Sequence, residues 1–119
     1  MQVGIDIEKI ERFKMMLAEK SQKKIFTQKE MEYFDKFVYK LDHMAGCFCA
    51  KEAVSKALKV GLYGKIAPID IEILHKDNGA PYVNTQNKKL QELLCGRAID
   101  ISISHTNDLA TANCVIGWY

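Results

Sequence analysis

Asp6, Glu52, Lys56 and the run Ser104-His105-Thr106 are the residues of this 119-residue chain whose types could do chemistry together. Two carboxylates make a poor complete metal cage. They suffice for Mg²⁺, which keeps several waters and takes its remaining ligands from substrate phosphates. A lysine one helical turn from a metal-binding glutamate would lie near those phosphates and could neutralise a leaving group. A histidine at the mouth of a hairpin could bind another phosphate oxygen. Each feature also has a plainer reading. Lone carboxylates cap helices or face solvent, Lys56 pairs with Glu52 at i,i+4, and a loop histidine does no more than end a strand. The chain has no GxxxxGK[ST] loop and no GxGxxG run.

The elements that must position these residues follow from periodicity. Val3, Ile5 and Ile7 alternate with Gly4 and Asp6, so 1–7 reads as a strand with Asp6 off its apolar face. A carboxylate in the middle of a short strand runs against β propensity, and local rules tend to break at functional sites. The stretch 44–58, MAGCFCAKEAVSKAL, reads as the central helix. Met44, Cys47, Phe48, Ala50, Val54, Ala57 and Leu58 fall on one broad arc at 100° per residue, with Glu52, Lys56 and Lys59 on a polar stripe. Lys51 projects among the apolar positions. The small residues Ala45, Gly46, Ala50, Ala53 and Ala57 let other backbone approach. Gly61 ends this helix.

Around that core the chain reads as a helix over 8–19, then a second helix opened by a capping box at Thr27-Gln28-Lys29-Glu30. A strand over 69–74, a turn at Lys76-Asp77-Asn78-Gly79, a short strand over 81–83 and a helix over 86–95 follow. Ile99, Ile101 and Ile103 mark a strand over 98–104, and His105–Asp108 turns the chain into a last strand over 109–118. Helices early and antiparallel hairpins late indicate an α+β class. The length indicates a single domain, 1–119.

Hydrophobic content of 48% and charged content of 27% are those of an ordinary globular chain. No apolar run is long enough to span a membrane. The opening residues lack the basic and apolar regions of a signal peptide, so the expected compartment is the cytoplasm. Cys47 and Cys49 point about 200° apart on a helix, and no second Cys/His pair stands at ligand spacing. All four cysteines therefore read as small buried hydrophobes. Seven Lys/Arg against two Glu between Lys9 and Lys29 would attract an acidic partner, or simply form a solvated face.

The motifs resemble those of the holo-[acyl-carrier-protein] synthases, the small trimeric class of 4′-phosphopantetheinyl transferases. The resemblance is carried by Gly4-Ile5-Asp6-Ile7, by Phe48 and Ala50-Lys51-Glu52-Ala53 followed by Ser55-Lys56-Ala57-Leu58, by Asp70-Ile71-Glu72-Ile73 with Gly79 and Pro81, and by Ser102-Ile103-Ser104-His105-Thr106. It covers essentially the whole chain, in the family's order. It implies the 4′-phosphopantetheinyl transferase-like fold, an α+β domain with a small antiparallel sheet packed on a long central helix, and transfer of 4′-phosphopantetheine from coenzyme A to a serine of apo acyl carrier protein, a step that supports fatty acid biosynthesis. It implies Mg²⁺ held by Asp6 and Glu52, and Lys56 on the pyrophosphate. Coenzyme A contacts would come from Lys56, Gly61, Ser104, His105 and Thr106. The carrier serine's proton would go to a metal-bound water or to one of the two carboxylates. Arg12 matches the arginine where the acidic carrier docks.

The chain departs from the family at Cys47, where an arginine that helps hold the 3′-phosphate is common, at Lys59, commonly glycine, and at Ala80, often lysine. Lys40 or Lys51 is the candidate substitute for that arginine. A homotrimer with shared sites is expected, partly from the resemblance. The rest comes from apolar alternation on Ile99, Ile101, Ile103 and on Ala112, Cys114, Ile116, more sheet face than the helices cover. Two other classes compete. A catalytically dead interaction module is argued against by the intact Asp6, Glu52 and Lys56. A nucleic-acid-binding domain is argued against by near-neutral net charge and by the lack of aromatics interleaved with Lys/Arg on a strand.

Overall fold

The computed structural model describes residues 1–118. The elements are β1 (Gln2–Lys9), α1 (Arg12–Ala18), α2 (Gln28–Phe34), α3 (Lys40–Ala57), β2 (Ile73–His75), β3 (Pro81–Val83), α4 (Lys88–Leu94), β4 (Ala98–His105) and β5 (Leu109–Gly117). Short 3₁₀ turns cover Gln22–Lys24 and Pro68–Asp70. The class is α+β. An antiparallel sheet in the order β1-β5-β4 lies on α3, and β2-β3 form a separate hairpin. Among the described residues no helix is long and apolar enough to cross a membrane.

α3 begins four residues before the expected Met44 and is buried on nearly every side, from Met44 to Lys51 without a break. The expected single apolar arc is therefore too narrow. The sheet covers one side of the helix, while α1, α2 and the β2 segment pack against others. Gly4 explains how closely β1 lies on it. A Cβ built there would stand 1.9 Å from the Ala53 carbonyl oxygen and 2.6 Å from the Ala57 nitrogen. Gly46 plays the same part toward β4, where a Cβ would meet Ile103 at 2.8 Å.

The sheet inverts one expectation. Gly4 and Asp6 face α3, while Val3, Ile5 and Ile7 are 59%, 63% and 61% exposed. The uncovered apolar face thus belongs to β1. Ile101, Ala112, Cys114 and Ile116, expected to need a partner, are buried against α3. β1 also runs two residues further than expected, through Lys9, so Glu8 is a strand residue and not the start of a helix.

The expected strand over 69–74 shrinks to Ile73–His75. Lys51 is the cause. Its Nζ donates to the Pro68 carbonyl at 2.8 Å and to the Ile71 carbonyl at 2.7 Å, which turns those carbonyls toward α3 instead of into a ladder. The capping box of α2 forms as expected, Glu30 N donating to Thr27 Oγ1 at 3.3 Å and Thr27 N to Glu30 Oε1 at 2.8 Å. α3 ends at Ala57 with Lys59, not Gly61, in the left-handed region at φ 63°. Lys59 N bonds the Lys56 carbonyl and Val60 N the Ser55 carbonyl, both at 3.1 Å, the pairing that a left-handed helix stop requires. Cys47, Cys49 and Cys114 are buried as expected. Cys95 is exposed, because it occupies the left-handed C-cap of α4.

Candidate active site

Strand alternation and the Gly4 contact bring Asp6 over the C-terminal half of α3. Lys56 Nζ donates to Asp6 Oδ1 and to the Ile5 carbonyl, each at 3.1 Å. The Lys56 side chain is 52% exposed and that of Asp6 only 9%. Thr111 Oγ1 donates to the Asp6 carbonyl at 2.8 Å and fixes the backbone from β5. Asp6 Oδ2 is buried and has no hydrogen-bond partner. A buried carboxylate oxygen left without a donor is costly, and a cation would satisfy it.

The surrounding charges point the same way. Burial and the Asp6 charge push the Glu52 carboxyl above its ordinary range, against the pull of Lys56 and Arg12. Glu8 is pushed up by burial and by the Asp6 charge, with Arg12 opposing. Three carboxyl groups thus share one small region with too little positive charge. Arg12 pairs with Glu8 and lies 5.4 Å above the Phe48 ring, which holds its guanidinium at the edge of the site. Cys49 lies close enough that burial, Asp6 and Glu8 push its thiol up to about 12, so it takes no part as a thiolate. Among the described residues no three His, Cys, Asp or Glu side chains converge on a single ion position. Any metal here needs ligands from water and substrate, which suits Mg²⁺.

Asp6, Glu52, Lys56 and Arg12 are therefore brought together, and Ser104, His105 and Thr106 form a second group. Asp6 and Ile103 flank Ala112 from opposite sides, two strand spacings or roughly 10 Å apart, and Ser104–Thr106 follow Ile103 toward the hairpin tip. His105 is exposed there beside the N-terminal half of α3, 6.4 Å from the His43 ring. Thr106 Oγ1 accepts from Asp108 N at 3.3 Å and Leu109 N at 3.1 Å, so it also builds the turn. Gly61 belongs to neither group. It is exposed, with open space where a side chain would be.

Lys51 cannot replace the arginine missing at Cys47. It is wholly buried, 2.8 Å from an equally buried Glu30, and its remaining protons go to backbone carbonyls. Lys40 is occupied at the surface, 3.4 Å from Asp35. Cys47 itself donates to Glu30 Oε2 at 3.3 Å, and burial with the Glu30 charge raises its thiol. Sequence reasoning missed Glu8, Glu30, His43 and His75. The period-two run Gly4-Asp6-Glu8 was the one signal in the sequence for Glu8.

A family model described as the 4′-phosphopantetheinyl transferase superfamily matches residues 2–114. A holo-[acyl-carrier-protein] synthase of Caldicellulosiruptor saccharolyticus is 44% identical over 117 residues, covering 96% of this chain and 93% of its own. The synthase of Thermoanaerobacter sp. (strain X514) is 42% identical over 118 residues, covering 96% and 84%. Among solved structures, the Bacillus anthracis synthase in complex with CoA (3′,5′-ADP) superposes with a TM-score of 0.84 at 30% identity, covering 99% of this chain and 96% of that one. The family model spans nearly the whole chain and the fold matches that of a solved synthase, so this chain belongs to the 4′-phosphopantetheinyl transferase superfamily.

Proposed function

We propose that the chain, acting as one domain over 1–119, is a holo-[acyl-carrier-protein] synthase. It moves 4′-phosphopantetheine from coenzyme A to a serine of apo acyl carrier protein and releases adenosine 3′,5′-bisphosphate. The observation that carries the reading is Asp6, buried with one oxygen held by Lys56 and the other unpartnered, beside a Glu52 whose ionised form is disfavoured. Asp6 and Glu52 would hold Mg²⁺ there. When bound, the ion neutralises pyrophosphate charge and makes the phosphorus more electrophilic. Lys56, half exposed and already oriented by two acceptors, is placed to stabilise the leaving phosphate. Arg12, braced by Glu8 and Phe48, offers a preoriented cation to an acidic carrier, with the basic stretch 9–29 widening that surface.

Ser104, His105 and Thr106 sit too far from Asp6 to be its direct neighbours and would grip the coenzyme A nucleotide. The exposed apolar face of β1 supports assembly with further copies of the chain, and a homotrimer would let the two groups meet between chains. The reaction would take place in the cytoplasm. Mass spectrometry of an apo carrier incubated with coenzyme A, Mg²⁺ and this protein tests the reading. One phosphopantetheine of added mass is expected, lost with chelator. An unmodified carrier, or full activity in excess chelator, overturns it. Sedimentation at assay concentrations tests the assembly, and full activity in a species of 13.5 kDa excludes shared sites.

A further inference from the structure

All three histidines of the chain meet at one cavity of about 230 Å³ beside the N-terminal half of α3. His43 comes from α3, His75 from the end of β2 and His105 from the end of β4. Their rings are held by aromatic stacking. His75 lies flat on Tyr33 with centroids 3.8 Å apart, His43 on Phe37 at 3.7 Å, and Tyr33 meets His43 edge-on at 5.9 Å. The His75 Nδ1 is buried without a hydrogen-bond partner. Among the described residues lining the cavity there is no lysine or arginine.

We infer that His43 and His75, together with His105, bind the 3′-phosphomonoester of coenzyme A by taking up a proton as the anion arrives; this rests on the transferase reading above. With no lysine or arginine among the described residues of its wall, the cavity gains positive charge only by protonation of its imidazoles, which an arriving anion favours. Burial lowers the affinity of His43 for a proton, and the nearby His105 lowers it further, with Asp42 opposing. Burial and then His43 do the same to His75. A dianionic ester opposes both causes, since its charge favours the protonated form of each ring.

The other charged groups around the cavity do not take this role. Asp42 bears the wrong sign, Lys36 sits over the Tyr33 ring at 5.8 Å and does not line the cavity, and Cys47 faces Glu30, whose charge Lys51 answers from within the core. Grip on the phosphate is therefore conditional on pH, which a guanidinium at Cys47 would not be. The ester's own second ionisation, near pH 6, works in the opposite sense, because acid removes its charge.

Calorimetry on the full chain with coenzyme A and with dephospho-coenzyme A, from pH 6.5 to 8.5 in buffers of different ionisation heat, tests this. Coenzyme A should take up more protons than dephospho-coenzyme A. Its affinity advantage should shrink as pH rises, by about tenfold per pH unit where a full proton is taken up. A double variant, His43→Gln with His75→Gln, should flatten that dependence. A constant advantage with equal proton uptake in the wild type overturns the inference without needing any variant. So does a folded double variant that keeps the wild-type slope. If neither nucleotide binds and the carrier stays unmodified, the transferase reading falls and takes this one with it. PH-independent binding of both, with an active enzyme, removes only the histidine assignment.

Discussion

Lys51 and Lys56 stand five residues apart on α3, and each pairs with a carboxylate from another element. Lys51 and Glu30 are both fully buried, 2.8 Å apart, and every remaining demand is met. Lys51 also caps two carbonyls, and Glu30 accepts from Ile73 N at 2.7 Å and from Cys47. Lys56 and Asp6 are 3.1 Å apart, but the lysine is half in solvent and Asp6 keeps an unpartnered oxygen. The first pair is saturated and acts as a clamp between α2, α3 and the β2 segment. The second is unsaturated and is open to a ligand. What separates structure from chemistry here is the count of unmet hydrogen-bond demands, since residue types and distances are nearly the same.

The largest effect comes from cutting the clamp. Lys51→Ala leaves Glu30 buried and uncompensated, which costs about 3–5 kcal/mol, a large share of a small domain's stability. Denaturant unfolding should show it, and a midpoint close to wild type would mean that water or a shifted proton relieves Glu30. Replacing both partners, Glu30→Leu with Lys51→Met, should recover much of the loss.

The opposite dissociation is expected at the open pair. Asp6→Asn or Glu52→Gln should cut turnover by orders of magnitude while the fold persists. Normal rates in either variant would remove them from the metal site. The same Glu52→Gln change should raise thermal stability at pH 8. A carboxyl raised in the folded state weakens folding above its unfolded range, so the gain should vanish toward pH 4. Glu72 has the reverse sign. Burial alone would raise it, but hydrogen bonds from Thr27 and Asn84, with Lys29 and Lys51, outweigh that and hold it low. Glu72→Gln should therefore lose stability at pH 8 and lose none below its depressed range. Equal pH responses in the two variants would sink the distinction.

The smallest effect is at the end of α3. Lys59 adopts φ 63°, a conformation in which glycine avoids a Cβ clash. Lys59→Gly should stabilise by about 1 kcal/mol, set against glycine's greater freedom when unfolded. A loss of stability would show that the lysine makes a compensating contact.

Much of this was legible in advance. Period-two alternation located β1, β4 and β5, the capping box located α2, and the motif order indicated Asp6, Glu52 and Lys56. What failed depended on contacts between distant segments. Alternation shows that two faces differ but not which one is covered, so Val3, Ile5 and Ile7 point outward although they are the apolar set. Lys51 reads as a candidate substitute for the arginine missing at Cys47 because nothing local marks Glu30 as its partner, 21 positions away. Glu8 was lost because the strand's end was placed two residues early. The histidine cavity joins positions 43, 75 and 105, and no local pattern links them.

The seat of β1 on α3 is backbone against backbone, with Gly4 leaving no side chain between them. Most distances in a protein interior are set by side chains, which evolution can trade for others of similar bulk. This one is set by main-chain radii, which substitution cannot alter. The height of Asp6 above Glu52 and Lys56 is therefore insulated from drift in the surrounding core. Repacking of neighbouring apolar residues leaves the dimensions of the site unchanged, and the intolerance to substitution is concentrated at Gly4.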